Sequence, residues 1–92
     1  MLDPAARAAI DSLSPKDKKA VLRSLTMLEM EEASTVRRNP KIHKLSGEEK
    51  YYLLRVNLDL RIIFEFSNEE TISVIDVVRH SQLERFYKRL YQ

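Results

Sequence analysis

Scarcities define this chain first: no cysteine, one glycine, three prolines and two histidines in 92 residues. Without cysteine there is no disulfide, no Cys-ligated zinc and no thiol nucleophile, which fits a reducing compartment. His43 and His80 stand apart, with no HxxxH-type pairing nearby, so no metal is expected, and no other cofactor either. The few glycines and prolines leave no low-complexity tract and no long flexible linker. No apolar run approaches a membrane span, and no hydrophobic signal segment opens the chain. The expectation is a cytoplasmic protein with no membrane partner. A length of 92 residues, 43% hydrophobic and 33% charged, suits a single domain over residues 1–92 with a modest core.

Net charge is only +2, from 16 basic and 14 acidic residues. Its distribution says more. Arg37, Arg38, Lys41 and Lys44 follow one another with no acid between them, and Arg79, Arg85, Lys88 and Arg89 face Glu84 alone. The acids gather at Glu29, Glu31 and Glu32, at Glu48 and Glu49, and at Glu69 and Glu70. Segregation of this kind either builds a local positive field on a nearly neutral protein or is ordinary solvated surface.

Asp3-Pro4 reads as a helix start, a capping side chain followed by a proline whose missing N–H costs nothing in the first turn. Ala6, Ala9, Ile10 and Leu13 then share a helical face. Ser14-Pro15-Lys16-Asp17 stops that helix and caps a second one, whose apolar stripe is Val21, Leu22, Leu25 and Leu28. Met27 and Met30 read as packing. The second helix should fade near Ala33 to Thr35, before Asn39-Pro40. Ser46 to Glu49 is a turn holding the only glycine. Tyr51 to Asn57 is rich in strand formers, and Leu58-Asp59 suits a tight turn. Leu60 to Ser67 alternates, with Leu60, Ile62, Phe64 and Phe66 on one side and Arg61, Ile63 and Glu65 on the other. After an Asn68-Glu69-Glu70 turn, Thr71 to Val78 makes a third strand. Ser81-Gln82-Leu83-Glu84 fits a capping box that opens a last helix with a Leu83, Phe86, Tyr87, Leu90 stripe. The predicted fold class is α+β, in the order α-α-β-β-β-α: an N-terminal helical hairpin packed on a small antiparallel sheet, with a C-terminal helix.

Cations at strand faces and at the strand-to-helix junction suit an anionic ligand, and RNA is the leading candidate. Pairing through the Leu58-Asp59 turn would bring Arg55 and Arg61 together on the sheet face away from the core. Like charges so placed need an anion or a carboxylate between them, and Glu65 is the carboxylate expected to serve. Arg79 and His80 stand at the junction, where backbone N–H groups and a helix dipole favour anions. His80 titrates near neutrality and is either an acid–base group or a plain exposed loop histidine. Tyr87 is either a core-edge tyrosine or a phenol that stacks a base or orients a phosphate. Metal-free RNA cleavage needs a base for the ribose 2′-hydroxyl, cations for the phosphate and an acid for the leaving oxygen. Arginine suits the second task because its fork matches phosphate geometry.

In register, K-L-x-G from Lys44, L-R-V at Leu54–Val56, R-I-I-F-E from Arg61, R-H at Arg79–His80 and the later Tyr87 resemble the RelE/ParE superfamily of bacterial toxins from type II toxin–antitoxin pairs. The resemblance runs from Asp3 onward. It implies a cognate antitoxin and a toxin–antitoxin hetero-oligomer. In its RelE-like branch, it also implies cleavage of messenger RNA on the ribosome by a cluster of cations and a late tyrosine. By that resemblance Arg61 and either Arg79 or His80 stabilise the phosphate, Tyr87 orients or activates the 2′-hydroxyl, and Arg55 stands where the family has a strand cation. The basic clusters nominate Lys41, Lys44, Arg85 and Lys88 beside Arg55 as RNA contacts. Family members begin with a strand ahead of the first helix, whereas only Met1-Leu2 precede Asp3 here. A short or missing first strand leaves an open sheet edge.

The leading reading is therefore a metal-independent, ribosome-dependent mRNA endonuclease that inhibits translation. A ParE-like inhibitor of DNA gyrase, acting through a protein interface, is the alternative, and the low net charge keeps it open. A toxin fold that has lost activity and serves as a binding module is the third.

Overall fold

Asp3 opens the first helix as its sequence dictates: its Oδ1 accepts the Ala5 N–H at 2.9 Å, and Pro4 takes the first helical position. The computed structural model describes residues 2–31, 33–44, 50–67 and 71–83. Helix α1 spans Pro4–Asp11 and α2 spans Pro15–Met30, capped by Ser14 Oγ on the Asp17 N–H at 3.3 Å. Between them the chain turns in three residues, making the expected hairpin. Ala6 and Ile10 of α1 and Val21, Leu25 and Leu28 of α2 are buried, and Ala9 and Leu13 pack beside them. Leu22 and Met30 depart from the expected stripes and face solvent, whereas Met27 packs on the core.

Beyond Met30 the chain departs from expectation. Glu31 is extended and ends α2, but Ala33–Arg38 then forms a further short helix, α3. Propensity alone would not hold six residues in a helix. Val36 does so by tertiary burial, being fully enclosed in the core. The Arg37 guanidinium also lies 4.3 Å from the centre of the Phe66 ring, a cation–π contact. Asn39-Pro40 follows the end of α3, with Asn39 Oδ1 accepting the Lys41 N–H at 2.9 Å.

Ile42–Lys44 then forms a strand, β1, inside a stretch read from sequence only as a basic approach. It pairs antiparallel with β2, Tyr51–Arg55, which pairs with β3, Leu60–Phe66, and that with β4, Ile72–Arg79. Strand order in the sheet is sequence order, a meander. Alternation in β3 sends Leu60, Ile62 and Phe64 into the core with Leu54, Val74 and Val77, beneath all three helices. Tyr52, Phe64 and Phe66 form an aromatic cluster there, with ring centres 5.2 to 5.9 Å apart. The α+β class expected from the sequence is the one observed.

The β3–β4 register slips by one residue between Ile63 and Phe64, because Ile63 faces Asp76 while Phe64 faces Val74. Ile75 is the extra residue of this bulge. On the outer side of β4, Leu2 makes an isolated parallel bridge to Val74, and the Asp3 N–H donates to the Val74 carbonyl at 2.9 Å. A single rung thus stands where the first strand was expected to be short or missing.

After β4 the chain enters a 3-10 turn at His80–Gln82, which contains Ser81. Arg79 holds the cap position, and Gln82 Oε1 accepts its N–H at 2.9 Å. The turns expected at Ser46–Glu49 and Asn68–Glu70 lie outside the described residues. So do Glu84 and the last-helix residues Arg85, Phe86, Tyr87, Lys88, Arg89 and Leu90. Replacing the fully buried Phe64 by alanine should remove about 3–5 kcal/mol of stability, read as a lowered urea midpoint.

Candidate nucleic-acid interface

The sheet has two unlike faces. On the face away from the helices, strand register sets out three rows across the sheet. Arg55 and Arg61 are direct partners and Val78 faces Arg61, forming the row nearest the β2–β3 turn. Lys41 extends this row beyond Arg55, whose N–H donates to the Lys41 carbonyl at 2.9 Å. The next row is His43, Leu53, Ile63 and Asp76. The third is Tyr51, Glu65 and Ser73. Leu53, Ile63 and Val78 form a small buried apolar patch, against which Tyr51, Ile75 and Leu83 pack.

Strand parity correctly places Arg55 and Arg61 together, but the carboxylate expected between them is elsewhere. Glu65 sits two rows away, where its Oε2 meets Lys50 Nζ at 3.2 Å. Hydrogen bonding to Glu65, helped by the charge of the same carboxylate and by Tyr51, raises the Lys50 amine above its ordinary value. Lys50 therefore stays charged throughout the neutral range, and its side of the pair is lost as pH rises through that elevated value.

Arg61 is relieved in another way. It is buried, at 9% exposure, and its guanidinium lies against the carbonyls of its own turn. Nη1 donates to Asn57 O at 2.6 Å and Leu60 O at 3.0 Å, and Nη2 to Leu58 O at 3.5 Å. Asn57 Oδ1 accepts the N–H groups of Asp59 at 2.9 Å and Leu60 at 2.8 Å from the inner side of the same turn. The turn is thus held by one side chain on its donors and another on its acceptors. Arg55 is exposed and, among the described residues, makes no ion pair.

Arg79 and His80 also converge on this turn, from the other side. Arg79 is the partner of Leu60 and shares its face, so it points toward the helices, opposite to Arg61. Its Nη1 bonds the Asp59 carboxylate, and its Nη2 stands 3.8 Å from Asp17 Oδ2 in the first turn of α2. The His80 N–H donates to the Asp59 carbonyl at 2.6 Å, and the imidazole is exposed. The N–H groups of Arg79 and His80 at the junction are both engaged.

Of the residues nominated from sequence, Lys41, Arg55, Arg61 and His80 gather at the turn end of the sheet. Arg79 reaches the same end from the opposite face. Lys44 does not join them: its partner is Tyr52, on the helix side and toward the far end of β2. Tyr87, Arg85 and Lys88 lie outside the described residues. The sequence reading passed over three others. His43 is exposed one row from Arg55, but the strand that carries it was not foreseen. Asn57 and Asp59 organise the turn, and the Asn-Leu-Asp-Leu run ahead of Arg61 was their signal.

Removing the Arg61 guanidinium leaves turn carbonyls without a donor, so Arg61→Ala should cost about 2–3 kcal/mol. Arg55→Ala, at an exposed site facing a like charge, should stay within about 0.5 kcal/mol of the parent. Urea unfolding of both variants checks the contrast.

No family model matches the sequence, and no protein of curated function matches it either. Structure finds likeness where sequence does not. The chain is similar to one in the crystal structure of the archaeal RelE–RelB complex from Pyrococcus horikoshii OT3, with a TM-score of 0.66 and 19% identity over 88% of this chain and 92% of that one. It is also similar to the solution structure of the conserved hypothetical protein HP0894 from Helicobacter pylori, with a TM-score of 0.60 and 12% identity over 89% and 93% of the two chains. At these identities the likeness is one of architecture, and three helices on one face of an antiparallel four-stranded meander make this the RelE fold.

Proposed function

We propose that this chain is the toxin of a type II toxin–antitoxin pair and that it cuts messenger RNA on the ribosome without a metal. The observation that carries the reading is the gathering of Lys41, Arg55, Arg61 and His80 at the β2–β3 turn end of the sheet. A phosphodiester seated there meets an exposed guanidinium at Arg55. Beside it is a second positive charge, at Arg61, already fixed in place by the turn carbonyls. A cation that need not reorganise stabilises the developing phosphorane charge more than a mobile one. The proton leaves the 2′-hydroxyl, the 2′-oxygen bonds phosphorus, the bond to the 5′-oxygen breaks, and that oxygen takes a proton. His80 is the acid–base group for one of these transfers, because its imidazole is exposed at the turn and an imidazole can both accept and donate a proton. By the family resemblance, Tyr87 orients the 2′-hydroxyl and Arg85 and Lys88 add RNA contacts.

The likeness to a chain of a RelE–RelB complex supports an antitoxin as partner. An antitoxin segment laid over the cationic row would block RNA and neutralise its charge. One observation favours the ParE-like alternative, gyrase inhibition through a protein interface. Leu58 stands 84% exposed at the tip of the β2–β3 turn, beside the same cations, a side chain suited to protein contact rather than to chemistry.

Primer extension on a reporter mRNA in a purified translation system, with and without ribosomes, tests the proposal. Cuts should appear only with ribosomes, and should fall at least tenfold in Arg55→Ala and in His80→Ala. These variants are better probes than Arg61→Ala, in which lost folding would imitate lost chemistry. Absence of cuts from the parent chain, with induction of a DNA damage response in cells, would move the reading to gyrase. Absence of any phenotype would leave an inactive binding module.

A further inference from the structure

We infer that Asp59 is a positioning residue: with Asp17 it makes Arg79 a brace, and the brace sets where His80 stands. The inference rests on the reading of His80 as an acid–base group and adds to it the element that aims the imidazole. Four observations meet at one place. The Arg79 guanidinium bridges two carboxylates, Asp59 in the β2–β3 turn and Asp17 at the start of α2. The Asp59 carbonyl accepts the His80 N–H at 2.6 Å. The Arg79 N–H is taken by Gln82 Oε1 at 2.9 Å, which shapes the turn that carries His80. Arg79 and Leu60 are partners in the last rung of the β3–β4 ladder, so nothing in the sheet beyond them holds the chain.

Charge decides what Arg79 does. One guanidinium between two carboxylates sits in a net negative surrounding, which repels a phosphate and keeps Arg79 from being the cation that substrate meets. Geometry agrees, since Arg79 points to the helix face and Arg61 to the other. The brace joins β4 to two elements far from it in sequence, and both hold the residue that precedes His80. Side chains in it are half-exposed, 44% for Arg79 and 51% for Asp59, so the ion pair adds little to global stability. Its effect is local, on the orientation of the following residue. A misplacement of about 1 Å at a reacting group costs up to about a hundredfold in rate.

The test uses the full chain and four variants: Asp59→Asn, Asp59→Glu, Arg79→Gln and the Asp59→Asn/Arg79→Gln double. Two quantities are read, ribosome-dependent cleavage resolved into kcat and KM, and hydrogen exchange of the His80 amide in the protein alone. Asp59→Asn and Arg79→Gln should each lower kcat about tenfold with KM unchanged. The double variant should be no slower than Arg79→Gln, because both changes break one brace. Asp59→Glu, which keeps the carboxylate, should recover most of the rate. The His80 amide should exchange faster in Asp59→Asn while the thermal midpoint holds.

Additive losses in the double variant, or a raised KM in Arg79→Gln alone, would make Arg79 a substrate contact and overturn the brace. So would a His80 amide equally protected in parent and Asp59→Asn. A parent chain that cuts no mRNA defeats the nuclease reading instead, and amide exchange then still decides whether Asp59 holds the junction.

Discussion

A buried guanidinium holding the carbonyls of its own turn is the interaction on which this molecule's functional end depends. Arg61 sits in the central hairpin, facing away from the core, in a position where strand parity alone would leave it solvated. Instead it folds back on Asn57, Leu58 and Leu60, while the Asn57 side chain takes the two N–H groups inside the loop. A buried cation without a carboxylate survives only where dipoles replace water, and three carbonyls provide that. The turn becomes rigid, and Arg79 and His80 attach to it through Asp59. The candidate site and its scaffold thus share one short loop.

The two sheet faces divide the work. One is apolar at its centre and seats α1, α2 and α3, and the aromatic cluster of Tyr52, Phe64 and Phe66 lies within it. The other grades from a cationic row through a small apolar patch to the Lys50–Glu65 pair. Such a surface keeps net charge low while concentrating positive potential at one end, as charge segregation along the sequence had suggested. A near-neutral total of +2 is therefore no argument against an anionic ligand.

Local chemistry was legible in the sequence; convergence was not. Asp3-Pro4 and Ser14-Pro15 announced two helix starts because a cap and a proline act within one turn. The Leu-Arg-Ile-Ile-Phe-Glu-Phe run gave its core face by alternation, and Arg55 and Arg61 were correctly brought together. Short elements held by distant contacts escaped. Helix α3 depends on the burial of Val36 and β1 on that of Ile42, and neither segment has the length to show a period. The partner of Glu65 was misjudged because Lys50 precedes the strand and reaches across to it. Arg61 was recognised as a site residue but not as a buried one, since its acceptors are backbone carbonyls that no side-chain pattern reveals. Arg79 and Asp17 are too distant in sequence for any local rule to join them.

The bulge in β4 has a consequence for how this protein behaves in company. Val77, partner of Ile62, turns its N–H to the carboxylate of its own neighbour, Asp76, at 2.8 Å. A strand edge recruits foreign strands by offering a regular row of donors and acceptors. Here the row is interrupted in mid-strand by a misfit residue and a negative charge, just beyond the rung that Leu2 and Asp3 occupy at Val74. An added strand would meet an interrupted row at this edge rather than a regular ladder.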